Sequence, residues 1–191
     1  MIRDGLSPRK ERISTIEIFP FLAMTFMIAW GILALYLYFP ESTSRICGQI
    51  SGNHPLFFLA VYAPAIAAIA IVAFRTGPDG SRHYLARLFR WRCTAGWYAF
   101  LLIGVPLVFY AGAAWKGTPA TDWLPESSFP SFLIAILLAI IKGPVEELGW
   151  RGFALPLLQR RMMPILAAVV LGVIWGVWHL PAFLLSGTQQ G

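Results

Sequence analysis

The sequence predicts an all-α protein, a polytopic transmembrane helical bundle of about five spans. Three observations carry that reading. The chain of 191 residues is 58% hydrophobic and only 13% charged, where soluble domains carry about 25% charged residues. Its apolar residues run in blocks of roughly the 20 needed to cross the hydrocarbon, instead of alternating with polar ones. Lysine and arginine gather in every second connection along the chain, as the positive-inside rule requires of a membrane protein.

The elements follow in order. Met1–Glu17 is polar and holds Arg3, Arg9, Lys10 and Arg12. Ile18–Phe39 is uncharged and long enough to span. It exceeds a signal-peptide core, and Tyr36-Leu37-Tyr38-Phe39-Pro40 offers no small-residue cleavage site, so it reads as a retained signal anchor. Glu41–His54 reads as a short polar loop and Pro55–Phe74 as the second span. Pro64 within it predicts a kink, which membrane helices tolerate. Arg75–Ala95 opens with a turn at Gly77–Gly80. Ser81 then suits the N-cap of a short helix to about Trp91. That helix sets Tyr84, Leu85, Leu88 and Phe89 among Arg82, Arg87 and Arg90, the composition of a helix lying in the headgroup layer.

Gly96–Trp115 is the third span, with Pro106 inside it, and Lys116–Ser128 is a second short loop. A fourth apolar run starts at Phe129, and a fifth lies between Met163 and Leu185. Two regions result. Residues 1–128 form an N-terminal transmembrane region of three spans with a basic loop, and residues 129–191 a region of two spans. The N-terminus, the Arg75–Ala95 loop and the Arg160-Arg161 turn are cytoplasmic on this reading. The net charge of +6 therefore belongs to topology and to membrane lipid as a partner, not to nucleic acid. Cys47 and Cys93 fall in loops on opposite sides of the bilayer, too far apart to bridge.

One stretch breaks the apolar pattern. Gly143-Pro144-Val145-Glu146-Glu147-Leu148-Gly149-Trp150-Arg151-Gly152 places two carboxylates and an arginine inside the fourth run. Charge within a membrane costs at least a few kcal/mol, which makes it a functional candidate by default. The hairpin between the fourth and fifth runs belongs at Gln159–Met163, with Pro164 in the first turn of the next helix. Glu146 and His179 then each lie about 25 Å of helix from the turn. A carboxylate and an imidazole thus reach the same depth on antiparallel neighbours.

Glu147 and Arg151, at i and i+4, can pair on one face. Glu146 is turned about 100° away and is free to point at His179. Lys142 could neutralise Glu146 instead. Gly143, Gly149 and Gly152 permit close helix approach. In this position Glu146 could act as general base towards a water held between it and His179; the structural alternative is a charge-balanced clamp between helices. His54 and His83 lie in loops and receive no role, and Trp175 and Trp178 read first as packing or interfacial residues.

These residues resemble the CPBP family of intramembrane proteases, which includes the type II CAAX prenyl endopeptidases and lysostaphin-resistance-type bacterial members. The family's first motif is EExxxR, often extended to EExGWRG, and Glu146–Gly152 matches the extended form. The second motif is an aromatic residue followed four positions later by His. Trp175-Gly176-Val177-Trp178-His179 is similar to it, with Trp where Phe is commoner. The resemblance covers Phe129–Pro181.

It implies an integral membrane endopeptidase of a bacterial plasma membrane, its N-terminus cytoplasmic, hydrolysing a protein or peptide substrate near the cytoplasmic side. Glu146 and His179 would be catalytic, and Glu147 and Arg151 would support the site. The family is called a metalloprotease, but no cofactor is fixed by the sequence. A divalent metal such as zinc would have only Glu146 and His179 here, where zinc usually takes three protein ligands and a water. Family members continue to a second His and an Asn or Asp four residues on, thought to hold the oxyanion. This chain ends at Gly191 without them, so the expectation is a partial reading frame. The competing readings are a non-catalytic membrane protein of the same fold, acting as a binding or regulatory partner, and a proton-coupled transporter. The latter predicts further intramembrane charges and repeat symmetry, which the sequence does not show.

Overall fold

The computed structural model describes residues 13–89, 92–117, 133, 137 and 143–185, and among these every regular element is helical. Four described helices are long and apolar enough to cross a membrane: Thr15–Tyr38, Pro55–Leu85, Ala95–Trp115 and Pro164–Leu184. The start of the fourth sequence run at Phe129, Lys142 and the helix end at Trp91 lie outside the described residues.

Contacts divide the chain into two compact units, Met1–Leu88 with Ile141–Gly191, and Phe89–Ile140. In the first unit the first two spans pack with the motif-bearing helices.

In the first unit, α1 (Ile18–Tyr38) is led in by a 3-10 turn at Thr15–Glu17. It buries Ile18, Phe21, Thr25, Ala29, Leu33 and Tyr36, a stripe at helical spacing. Where a plain loop was expected, Pro40–Cys47 forms a two-turn helix, α2. Pro40 suits its first turn. Thr43 Oγ1 donates to Leu35 O (2.9 Å) and the Tyr36 hydroxyl to Gly48 O (3.2 Å), which fold α2 back on the end of α1.

His54, given no role from sequence, starts the next helix. Its Nδ1 accepts from Leu56 N–H (3.2 Å) and its Nε2 donates to Cys47 O (2.8 Å). Both bonds require the neutral Nε2–H tautomer.

The helix that follows, α3 (Pro55–Leu85), runs on through Pro64 and past the expected turn. Its one residue outside helical geometry is Gly77 (φ 66°, ψ −167°). A side chain would be strained there, and Pro78 has no N–H with which to continue the ladder. The break is therefore one residue wide, and helix resumes at once. Ser81 is consequently not an N-cap: its Oγ donates back to Gly77 O (3.0 Å) from inside the helix. Ala60, Ala63, Ala65, Ala67 and Ala68 are almost fully buried. Small residues of this kind let helices approach within a membrane, where packing rather than water exclusion drives association.

Past residue 142, α5 comprises residues 143–158, and α6 (Pro164–His179) ends in a 3-10 turn at Leu180–Leu184. The hairpin falls at residues 159–163 with Pro164 opening α6, as the sequence predicts. Arg160 Nη1 donates to Ile13 O, and Arg75 Nη2 lies 2.7 Å from Glu17 Oε1. The start of α1, the middle of α3 and the α5–α6 turn therefore share one end of the unit.

In the second unit, Ala95–Trp115 is a single helix, α4, interrupted by a π-turn at Phe100–Gly104. The π-turn ends just ahead of Pro106, whose missing N–H disrupts the regular ladder.

Candidate active site

The same device recurs in α5, inside the motif. Residues 143–149 are α-helical, Trp150–Ala154 form a π-turn and Leu155–Leu158 resume the α-helix, with Pro156 at its start. Proline at 156 cannot donate to Gly152 O, its i−4 partner. Arg87 Nη1 donates to that carbonyl instead (3.3 Å), and the Tyr84 hydroxyl donates to Leu148 O (2.5 Å). The segment expected to lie in the headgroup layer thus holds α5 by its backbone, and Tyr84 is buried.

Glu147 and Arg151 do pair, i to i+4. The pair is confined to one helix, so it is not a clamp between helices. The clamp is apolar. Trp150 is 1% exposed, edge-to-face with Phe21 (centroids 5.6 Å) and with Trp178 (5.7 Å). Such aromatic pairs are each worth about 0.5–1.5 kcal/mol beyond burial. Gly149 sits against α3, where a Cβ would fall 2.4 Å from Pro64 C. A Cβ on Gly152 would meet the Tyr84 hydroxyl at 3.2 Å. Gly143, the third glycine expected at a helix contact, has nothing within 4 Å among the described residues.

Glu146 and His179 come together as their depths require. Both line one cavity of about 190 Å³, walled by Ala29 and Leu33 of α1, Phe57, Ala60 and Val61 of α3, and Trp178 and Ala182. Trp175 joins them, a contact not foreseen from sequence. Its indole Nε1 donates to Glu146 Oε1 (2.6 Å), while its backbone carbonyl lies 2.9 Å from His179 Nδ1. A carbonyl only accepts, so Nδ1 carries a proton, and in the neutral imidazole Nε2 is the bare nitrogen. The imidazole is seated between two indole rings, with centroids 4.3 Å from Trp175 and 4.7 Å from Trp178. Pro181 cannot extend α6, the winding tightens after His179, and the Trp178 carbonyl left at the helix end accepts from Trp30 Nε1 (3.1 Å).

Depth is fixed by the same helices. From Pro164 to His179 is about 22 Å at 1.5 Å per residue, and Phe57, Ala60 and Val61 belong to the first turns of α3. The site lies in the half of the unit away from the Ile13–Arg160 end.

No group of three or more His, Cys, Asp or Glu able to hold a metal occurs among the described residues. Of the two candidate ligands, Glu146 has one oxygen and His179 one nitrogen already engaged by Trp175. This donor set falls short of a zinc site, which usually takes three protein ligands and a water.

Residues 127–189 match the family model described as type II CAAX prenyl endopeptidase Rce1-like. The chain is also similar to a CAAX prenyl protease 2 of Methanococcus maripaludis, 22% identical over 179 residues, covering 86% of this chain and 64% of that protein. The chain thus spans a little under two thirds of the length of that relative. No solved structure matches it.

Proposed function

We propose, from its similarity to the type II CAAX endopeptidases, that the chain is of the CPBP family and carries the water-activating groups of an intramembrane peptidase site, with Glu146 as general base and His179 as its partner. The observation that supports this most is the shared cavity. A carboxylate from α5 and an imidazole from α6 face one apolar-walled space, each already oriented through its other heteroatom.

In this reading a water in the cavity donates one hydrogen to the Glu146 carboxylate and the other to His179 Nε2, which leaves an oxygen lone pair for the peptide carbonyl. Glu146 takes the proton as the C–O bond forms, and returns it to the amine as the C–N bond breaks. His179 stays neutral and holds the water in line. Glu147 and Arg151 act on helix architecture. The substrate is a peptide bond of a protein or peptide that reaches the cavity from the membrane, and the apolar walls favour apolar side chains beside the scissile bond.

The test is cleavage of a membrane-tethered peptide reporter by the full-length protein. Glu146→Gln and His179→Ala should each lower kcat at least a hundredfold, the lower end of general-base contributions, with both variants still folded. Cleavage at the wild-type rate by Glu146→Gln would sink the assignment and leave a binding or regulatory role for the cavity.

A further inference from the structure

We infer that Trp175 is the positioning residue of this site: its indole N–H fixes the Glu146 carboxylate in its working rotamer. The inference rests on the proposed general-base role of Glu146 and goes beyond it. Four observations support it.

The first is the contact itself. Trp175 Nε1 donates to Glu146 Oε1 at 2.6 Å. The second is what the bond does to a flexible side chain. Glutamate has three rotatable bonds, and a productive base has to be held within hydrogen-bond reach of the proton it removes. Arg151, a nearby cation among the described residues, is engaged by Glu147.

The third observation is that the same residue orients His179. The Trp175 carbonyl takes Nδ1–H, and the Trp175 ring packs against the imidazole with centroids 4.3 Å apart. One residue on α6 thus sets the geometry of both chemical groups, one of which stands on a different helix. The fourth is chemical. A phenylalanine at this position would keep the ring against His179 and the backbone carbonyl, but would have no hydrogen to give the carboxylate. The tryptophan at 175 adds a directional donor to what is otherwise an apolar packing position.

The experiment uses the full-length protein in detergent micelles and Trp175→Phe. With a fixed carboxylate in the wild type and a free one in the variant, kcat should fall about tenfold to a hundredfold while KM and the unfolding midpoint stay at wild-type values. Trp175→His, which restores a ring N–H, should recover part of kcat. An unchanged kcat in Trp175→Phe, or a fall matched by lost stability that Trp175→His does not relieve, would overturn the inference.

A second measurement does not depend on turnover. In protein labelled with 15N at tryptophan, the Trp175 indole signal is identified by its absence from Trp175→Phe, or from Trp175→His where the phenylalanine variant does not fold. That signal should move in Glu146→Ala. If it stays in place, the hydrogen bond does not exist and Trp175 has no positioning role. Retained cleavage by Glu146→Gln, with the indole signal still responding to Glu146→Ala, would instead remove the catalytic reading and leave the contact standing.

Discussion

Gly149→Ala is the most demanding single test of how this unit is held together. A Cβ at residue 149 would lie 2.4 Å from Pro64 C and Pro64 Cβ and 2.5 Å from the Pro64 carbonyl oxygen. Non-bonded carbons settle at about 3.5–4.0 Å, so α5 and α3 have to part by roughly 1 Å. Overpacking typically costs about 1–3 kcal/mol. The neighbour here is helix backbone at a proline, which has no side-chain rotamer to yield, so the cost belongs near 3.

Alanine offsets about 1 kcal/mol of that through its better helix propensity. The net expectation is a loss of about 2 kcal/mol, roughly a thirtyfold shift in the folding equilibrium. The assay is reversible unfolding in mixed detergent micelles, with Gly31→Ala and Gly172→Ala alongside. Neither of those glycines has anything within 4 Å, so both variants should match or slightly exceed wild type. On the role proposed for Glu146, activity should fall further than stability, because Glu146 stands one turn away and a 1 Å displacement of a catalytic group costs about a hundredfold. Wild-type stability in Gly149→Ala, with the two comparators behaving as stated, would refute the α3–α5 contact.

Two other expectations follow from the packing. Tyr84→Phe removes the donor to Leu148 O and keeps the ring, so it should cost about 0.5–1.5 kcal/mol in the same unfolding assay; no change would mean that the hydroxyl does not hold α5. Cys47 and Cys93 are both free and exposed and report orientation without engineering. With the arginine-bearing end in the cytoplasm, a membrane-impermeant maleimide should label Cys47 in intact cells and Cys93 only after permeabilisation. The reverse pattern would place Glu146 and His179 in the cytosolic half and set the positive-inside reading aside.

Much of the molecule is legible in its sequence. The limits of α1, the hairpin at residues 159–163, the helical start at Pro164 and the Glu147–Arg151 pair depend on local properties: segment length, a proline's missing N–H, a spacing of four. The shared depth of Glu146 and His179 needs only the rise per residue and the position of the turn. Sequence and structure part where a local signal has two outcomes. Gly77-Pro78-Asp79-Gly80 has the composition of a turn, yet one residue at positive φ suffices for the break, and Ser81 bonds backwards from within the helix. Glu41–Cys47 is polar enough for a loop, but it folds as α2 because Tyr36 and Leu35 offer it hydrogen-bond partners.

What the sequence determines alone is which segments are helices, where they turn and how deep the charged residues sit. Only the tertiary structure decides which faces meet. In a helix that is apolar on every side, composition carries no rotational signal, and rotation is set by close packing and by scarce polar contacts. So Trp175 comes to Glu146, Gly149 to Pro64 and Tyr84 to Leu148 through the register of separate helices. All three of those contacts reach into Glu146–Gly152, where the motif names the residues that carry charge and the packing shows that the helix is held by its glycine, its tryptophan and its backbone carbonyls.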